Sequence, residues 1–244
     1  VECCAFSNDS NWLAVGGDSE VHVYRVNGDG CLNSVFWTNI SSSPTLSYVN
    51  CSSFSVDNNW LAVGDDTGNV TLYSTNKSEP SRSFIKTSEH SMEDSCINCS
   101  SFSNDGKWLV VGNDAGKVTL YAINNAGVLT SQGAHTQLFP SDGNTCADVT
   151  CCAFSSDSTY LVVGSYSAKK VVIFSVYANG DLTVAAEKTH VSGVSCCTFT
   201  GEWLTVCEST GNASTISLYS TNMSCGRVVN FHDEQWMQKS TVVC

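Results

Sequence analysis

Cysteine offers the most chemistry in this sequence. Fourteen are present among 244 residues, an even count, as a fully oxidised set requires, and far more than a reducing compartment usually hosts. Cys96 and Cys99 form a CxxC, a spacing used in redox and zinc sites. No second CxxC and no His pair accompanies it. The pair therefore reads as a structural bridge, and neither a metal nor a cofactor is expected. The other modification signal is a set of Asn-x-Ser/Thr triplets beginning at Asn8, Asn39, Asn50, Asn69, Asn76, Asn98, Asn212 and Asn222, the acceptor pattern for N-glycosylation. Together the two signals point to an extracellular or cell-surface protein carrying covalent N-glycans.

Acid–base and nucleophilic chemistry is harder to find. Asp18 with Glu20, Asp65 with Asp66, and Asp114 are acidic turn residues, but their spacing matches no calcium loop. They read as solvated turns. No Ser-His-Asp set recurs in a strand-to-turn context, and His22 reads as an ordinary strand residue. The chain is expected not to be an enzyme and to have no catalytic residues. With 11 Lys+Arg against 23 Asp+Glu the net charge is −12, which repels phosphate backbones and anionic lipid. Apolar runs such as Val171 to Phe174 fall far short of the ~20 residues that span a bilayer. Nucleic-acid binding and membrane insertion are therefore not expected. Hydrophobic residues at 42% with charged residues at 14% allow a large core under an uncharged polar surface.

One pattern recurs along the chain and must position all of these groups. VECCAFSNDSNWLAVGGDSEVHVYRVN at the start returns as VNCSSFSVDNNWLAVGDDTGNVTLYSTN, INCSSFSNDGKWLVVGNDAGKVTLYAIN, VTCCAFSSDSTYLVVGSYSAKKVVIFSV and VSCCTFTGEWLTVCESTGNASTISLYSTN. Its anchoring residues Phe6, Phe54, Phe102, Phe154 and Phe199 lie 48, 48, 52 and 45 residues apart. In the first copy, alternation and β-branched content predict strands over Val1 to Phe6, Trp12 to Gly16 and Val21 to Tyr24. The variable stretch that follows has room for a fourth, outer strand. Four-stranded units that cannot bury both faces alone must stack, and radial stacking gives a β-propeller. The reading is an all-β, five-bladed propeller forming one repeat domain over 1–244, with blades near 1–48, 49–96, 97–148, 149–193 and 194–241.

Lines such as VxxxxFSxDGKWLVVGNDAGKVTLY resemble the WD-repeat propeller family over all five units. Two departures stand out. The family's Trp-Asp pair is replaced by Tyr24-Arg25, Tyr73-Ser74, Tyr121-Ala122, Phe174-Ser175 and Tyr219-Ser220, and its Gly-His pair has no regular counterpart. His90, His135, His190 and His232 precede the following repeats at inconsistent distances. The family's buried Asp-His network is therefore expected to be absent, leaving cysteine as the staple.

Cysteine fills the third position of every inner strand as Cys3, Cys51, Cys99, Cys151 and Cys196, and the next position as Cys4, Cys152 and Cys197. Adjacent strand residues point to opposite faces, so bridges between blades are geometrically open. The expected pairs are Cys4 with Cys51, Cys152 with Cys196, and Cys197 with Cys244. Cys207 with Cys225, Cys96 with Cys99 and Cys146 with Cys151 are expected to close locally. The competing reading is a set of small buried thiols. Trp12, Trp60, Trp108, Tyr160 and Trp203 hold one equivalent place per blade, where they either pack or form a ring for stacking sugars. Asn8, Asn69 and Asn212 fall in turns, and Asn39, Asn76 and Asn222 in or beside the outer stretch, so these six are reachable by a transferase. Asn50 and Asn98 begin inner strands, where a glycan has to project from the propeller face or be absent.

Val242 to Cys244 restarts the motif as Val-x-Cys. It either leads into a further unit, docks on another copy or overlaps locally to close the ring. The function expected is a non-catalytic structural subunit of an extracellular assembly or filament, joined head-to-tail to copies of itself. The alternative is a secreted propeller lectin or protein-binding module.

Overall fold

Five antiparallel sheets follow one another along the chain. The structure is a computed structural model and describes residues 1–18, 20–28, 30–39, 47–75, 84–92, 95–132, 136–137, 148–201, 203–209, 214–220 and 233–234. Blade 1 comprises β1 (Cys3–Phe6), β2 (Trp12–Gly17), β3 (Glu20–Val26) and β4 (Leu32–Asn39). Blade 2 comprises β5 (Val49–Phe54), β6 (Trp60–Asp65), β7 (Asn69–Thr75) and β8 (Phe84–Ser91). Blade 3 comprises β9 (Ile97–Phe102), β10 (Trp108–Asn113), β11 (Lys117–Ile123), β12 (Leu129–Ser131) and β13 (Thr136–Gln137). Blade 4 comprises β14 (Cys151–Phe154), β15 (Tyr160–Ser165), β16 (Lys170–Val176) and β17 (Leu182–Thr189). Blade 5 comprises β18 (Gly193–Thr200), β19 (Trp203–Ser209), β20 (Ser214–Ser220) and β21 (Asp233–Glu234). Strands pair in sequence order, so each blade is a meander, and no helix occurs among the described residues. In blade 3 the outer strand is split, with both β12 and β13 pairing β11. The protein is thus an all-β, five-bladed propeller.

A repeated turn sets the register of the first two strands. In blades 1 to 4 the hydroxyls of Ser7, Ser55, Ser103 and Ser155 donate to Asp9, Asp57, Asp105 and Asp157 at 2.5 to 2.7 Å. The same oxygens accept the backbone N–H of Trp12, Trp60, Trp108 and Tyr160 at 2.9 to 3.0 Å. These serines are nearly or fully buried, and the two bonds leave neither the hydroxyl nor the strand's first amide unsatisfied. Gly106 completes the blade 3 turn at φ +73°, a conformation glycine adopts without steric cost.

Blades stack through alternating faces. The face turned to the preceding blade, the leading face, carries the Val-Phe-Leu-Val-Tyr set, as in Val49, Phe54, Leu61, Val63 and Tyr73 of blade 2. The trailing face of blade 1 answers it with Trp12, Ala14, Val21 and Val23, forming one buried cluster. Equivalent clusters join blades 2 and 3, 3 and 4, and 4 and 5. Small residues permit the close approach: a Cβ at Gly16, Gly64, Gly112 or Gly164 would lie 2.4 to 2.7 Å from a methyl of the next blade's Val49, Ile97, Val149 or Val194.

The polar stitching corrects one expectation. A buried His–carboxylate network is present in blade 5, where His190 Nδ1 lies 2.8 Å from Glu208 Oε1 and Ser217 Oγ donates to the same oxygen at 3.2 Å. At the corresponding loop–turn junctions Ser95 Oγ donates to Asp114, and Asp148 accepts from Ser165 Oγ at 3.1 Å and from Ser167 N–H at 3.0 Å. The partners differ from blade to blade because the loops leading to them differ in length. A fixed histidine spacing therefore does not reveal them.

Candidate functional site

Among the described residues, two blade faces lack the cover that the other eight have. Phe102 and Phe154 are buried inside interfaces, and Leu61, Val63 and Tyr73 of blade 2 are wholly buried. At the same positions on the leading face of blade 1, Val1 is 91% and Phe6 60% exposed, and Leu13, Val15 and Tyr24 are only half-buried. On the trailing face of blade 5 the same holds: Trp203 is 40% and Ile216 50% exposed, where Trp12 and Val171 are buried. Leu218 and Thr205, in register with each other, are half-buried there, whereas Ile173 and Val162 have no exposure. Among the described residues no apolar cluster joins blade 5 to blade 1. Each face thus leaves large apolar side chains exposed on one side of a blade, a feature of interaction sites.

The two faces are not equally ready for a blade. Cys207 pairs in register with Cys196, the place that Gly16, Gly64, Gly112 and Gly164 take opposite their cysteines. A side chain there points into the space that a following blade's first β-branched residue fills elsewhere. This exception was readable from the aligned repeats as the one interior departure from Val-Gly before the second turn.

The aromatic series does not form a sugar-binding ring. Trp12 and Trp108 are buried in the clusters between blades, and Trp60 and Tyr160 pack against two further clusters. Only Trp203 offers an exposed ring, because its blade has no follower among the described residues. The parity of the strand explains this: Trp12 shares its face with Ala14 and Gly16, the face turned to the next blade.

Three of the expected cysteine pairs, Cys4 with Cys51, Cys152 with Cys196 and Cys96 with Cys99, are also corrected. Third-position cysteines face the following blade and fourth-position residues the preceding one, the reverse of the facing that joins Cys4 to Cys51 and Cys152 to Cys196. Cys4 lies exposed on the outer face of blade 1, while Cys51 is buried towards Ser100 of blade 3. Cys96 and Cys99 do not bridge: Cys96 is hydrogen-bonded to Asp114, and Cys99 to Cys152. Cys151 Sγ lies 2.9 Å from Cys197 Sγ. Cys146, Cys225 and Cys244, the partners expected for Cys151, Cys207 and Cys197, lie outside the described residues, as does the restart at 242–244.

Among the glycosylation candidates Asn8 is exposed, and Asn50, Asn69 and Asn98 are half-buried. Asn69 Nδ2 donates to Thr67 Oγ1 at 2.8 Å, a bond a glycan on that nitrogen would disturb. Asn76, Asn212 and Asn222 lie outside the described residues, and Asn39 ends β4. The acidic turns have structural partners: Asp65 Oδ1 accepts the N–H of Thr67 and Asn69 at 3.1 and 2.8 Å. Tyr48 donates its hydroxyl to Asp18. Among the described residues no three His, Cys, Asp or Glu side chains converge as a metal site.

Comparison with known proteins agrees with this architecture. The family model described as WD40: WD domain, G-beta repeat, matches residues 1–25, 39–74, 82–121 and 135–174, more than half of the chain. No curated protein matches the sequence. Among solved structures, a protein from Lactobacillus plantarum is 17% identical with a TM-score of 0.72, covering 92% of this chain and 66% of its own. Sqt1 of Chaetomium thermophilum, bound to the N-terminus of the ribosomal protein L10, is 18% identical with a TM-score of 0.67, covering 91% and 59%. A chain of the Mitotic Checkpoint Complex is 21% identical with a TM-score of 0.67, covering 96% and 65%. The chain thus spans just under two thirds of these proteins' length at most.

Proposed function

Since the chain belongs to the WD domain, G-beta repeat family, we propose that it is a non-catalytic protein-interaction scaffold whose docking surfaces are the two uncovered blade faces. The observation that carries the reading is the exposure of Phe6 and Val1, whose counterparts in the later blades lie inside interfaces. Four internal interfaces of this chain exhibit what such a face receives: the trailing face of a similar blade. A second copy can present that face, so the occupant is another molecule of this protein, joined head-to-tail. Such contacts are heterologous and extend rather than close. Cys207 acts as a brake on this contact, because a glycine is what allows the close approach elsewhere. The association is therefore weak and reversible. Protein docking also has a precedent in fold, since Sqt1 was solved with a ribosomal-protein segment bound.

An extracellular setting with N-glycans belongs to the same proposal and is supported by the cysteine count and the eight acceptor triplets. A mass decrease on amidase treatment of native material is the expected result there, and an unchanged mass would remove that part.

Sedimentation velocity of the full chain under reducing conditions, over a wide concentration range, tests the docking reading. Growth with concentration is expected, weakened by Phe6→Glu and strengthened by Cys207→Gly, which restores the residue of the other four blades. A wild type and a Cys207→Gly variant that both stay monomeric throughout would overturn it.

A further inference from the structure

We propose that Cys151 with Cys197, and Cys99 with Cys152, are redox pairs that convert to disulfides joining neighbouring blades. The pairs are equivalent. Each joins the third position of one inner strand to the fourth position of the next, and they lie at successive boundaries, between blades 3 and 4 and between blades 4 and 5. Cys151 and Cys197 are both buried, with sulfurs 2.9 Å apart across 46 residues of sequence. That is about 1 Å beyond the ~2.05 Å of an S–S bond, so closure asks for little backbone movement. Cys99 is likewise buried and hydrogen-bonded to Cys152.

The first two boundaries serve as internal controls. There the fourth position is serine: Cys3 Sγ lies 3.5 Å from Ser52 Oγ, and Cys51 is hydrogen-bonded to Ser100. The geometry is shared, but no second sulfur is present. Among the described residues, cysteine pairs of this kind thus occur only at the two later boundaries, and at the two earlier ones Cys3 and Cys51 stand beside Gly16 and Gly64 as single thiols.

The oxidant is a small-molecule disulfide. One cysteine thiolate attacks a sulfur of that disulfide and expels a thiolate, forming a mixed disulfide. The second cysteine thiolate then attacks the protein-bound sulfur, the interblade S–S bond forms and a second small thiolate leaves. Two electrons pass to the small disulfide, and its two thiolates take up the two protons. The partner thiol's hydrogen bond and burial hold Cys99 and Cys197 well above the usual thiol range. Exchange is therefore slow in the closed blades and proceeds as the interface opens.

The test uses the full chain, reduced and then equilibrated with oxidised and reduced glutathione, alkylated, and mapped without reduction. Two crosslinks are expected, one joining the segments of Cys99 and Cys152 and one joining those of Cys151 and Cys197, with Cys3 and Cys51 alkylated. Cys152→Ser and Cys197→Ser place at those positions the residue that blades 2 and 3 already carry. Cys152→Ser should lose only the first crosslink and Cys197→Ser only the second. Alkylation of all four cysteines in the wild type, or a crosslink that survives removal of its assigned partner, would overturn the assignment. Neither outcome bears on the head-to-tail reading, which is measured under reducing conditions.

Discussion

Replacing Gly164 by alanine probes how closely the blades are packed. A Cβ at this position lies 2.6 Å from Cys151 Sγ and 2.7 Å from Val194 Cγ1, with Val194 Cβ at 3.5 Å. Ordinary contact begins at 3.4 Å, so the added methyl overlaps two groups of the buried cluster between blades 4 and 5. Overpacking a filled core costs ~1–3 kcal/mol. Reduced freedom of the unfolded chain offsets ~0.4–1 kcal/mol of this. The net loss expected is about 1–2 kcal/mol. Val194→Ala alone, at a side chain with no exposure, removes two methyl groups and costs about 2 kcal/mol. In the double variant the Cγ1 overlap is gone while the sulfur overlap stays. The combined loss should then fall short of additivity by about 1 kcal/mol. Urea unfolding of the four proteins, compared at constant m-value, measures the cycle. A neutral or stabilising Gly164→Ala, or a double variant additive within about 0.3 kcal/mol, would refute the close-packing argument.

Three further outcomes follow from particular side chains. Tyr73 is fully buried with no hydrogen-bond partner for its hydroxyl among the described residues, and blade 4 carries Phe174 at the same place. Tyr73→Phe should therefore raise stability by about 1 kcal/mol in urea unfolding. Trp108→Ala should cost ~3–5 kcal/mol, because the ring fills an interface, whereas Trp203→Ala should cost under about 1 kcal/mol. Similar losses for both would contradict the assignment of the blade 5 face as uncovered. Burial pushes the Asp105 carboxyl up, but hydrogen bonds from Ser103 and Lys107 outweigh it and leave it below the usual carboxylate range. A carboxyl lowered in the folded state contributes stability that is complete above its unfolded pKa and lost as pH falls through the folded one. The stability advantage of wild type over Ser103→Ala should therefore shrink on acidification from neutral pH to about pH 3, measured by urea midpoints.

Much of the fold could be read from the sequence, because its signals are local and repeated. Ser-x-Asp after Phe6, Phe54, Phe102 and Phe154 forms a turn from three nearby residues, and Leu13 against Ala14 or Leu161 against Val162 already sets the strand period. The cysteine facing could not be read the same way. Alternation tells that Cys151 and Cys152 point to opposite faces, but which face meets which neighbour depends on the sense in which the blades succeed one another. Irregular loop lengths hide the His190–Glu208 contact, whereas Cys207 stands out in the repeats as the single break in Val-Gly. Trp12 and Trp108 could have been placed inside by parity, since each shares its face with a glycine four residues later. The uncovered faces themselves have no sequence signature, as Phe6 and Phe102 sit in nearly the same local sequence and differ only in what lies next to them.

Hydroxyl-radical footprinting at low protein concentration tests that difference directly, using equivalent residues of one molecule as mutual references. Strong labelling of Phe6 and Trp203 is expected, with protection of Phe102, Phe154, Trp12 and Trp108. Protection of Phe6 and Trp203 to the level of their buried counterparts would contradict it, because the two faces would then already be covered within a single chain.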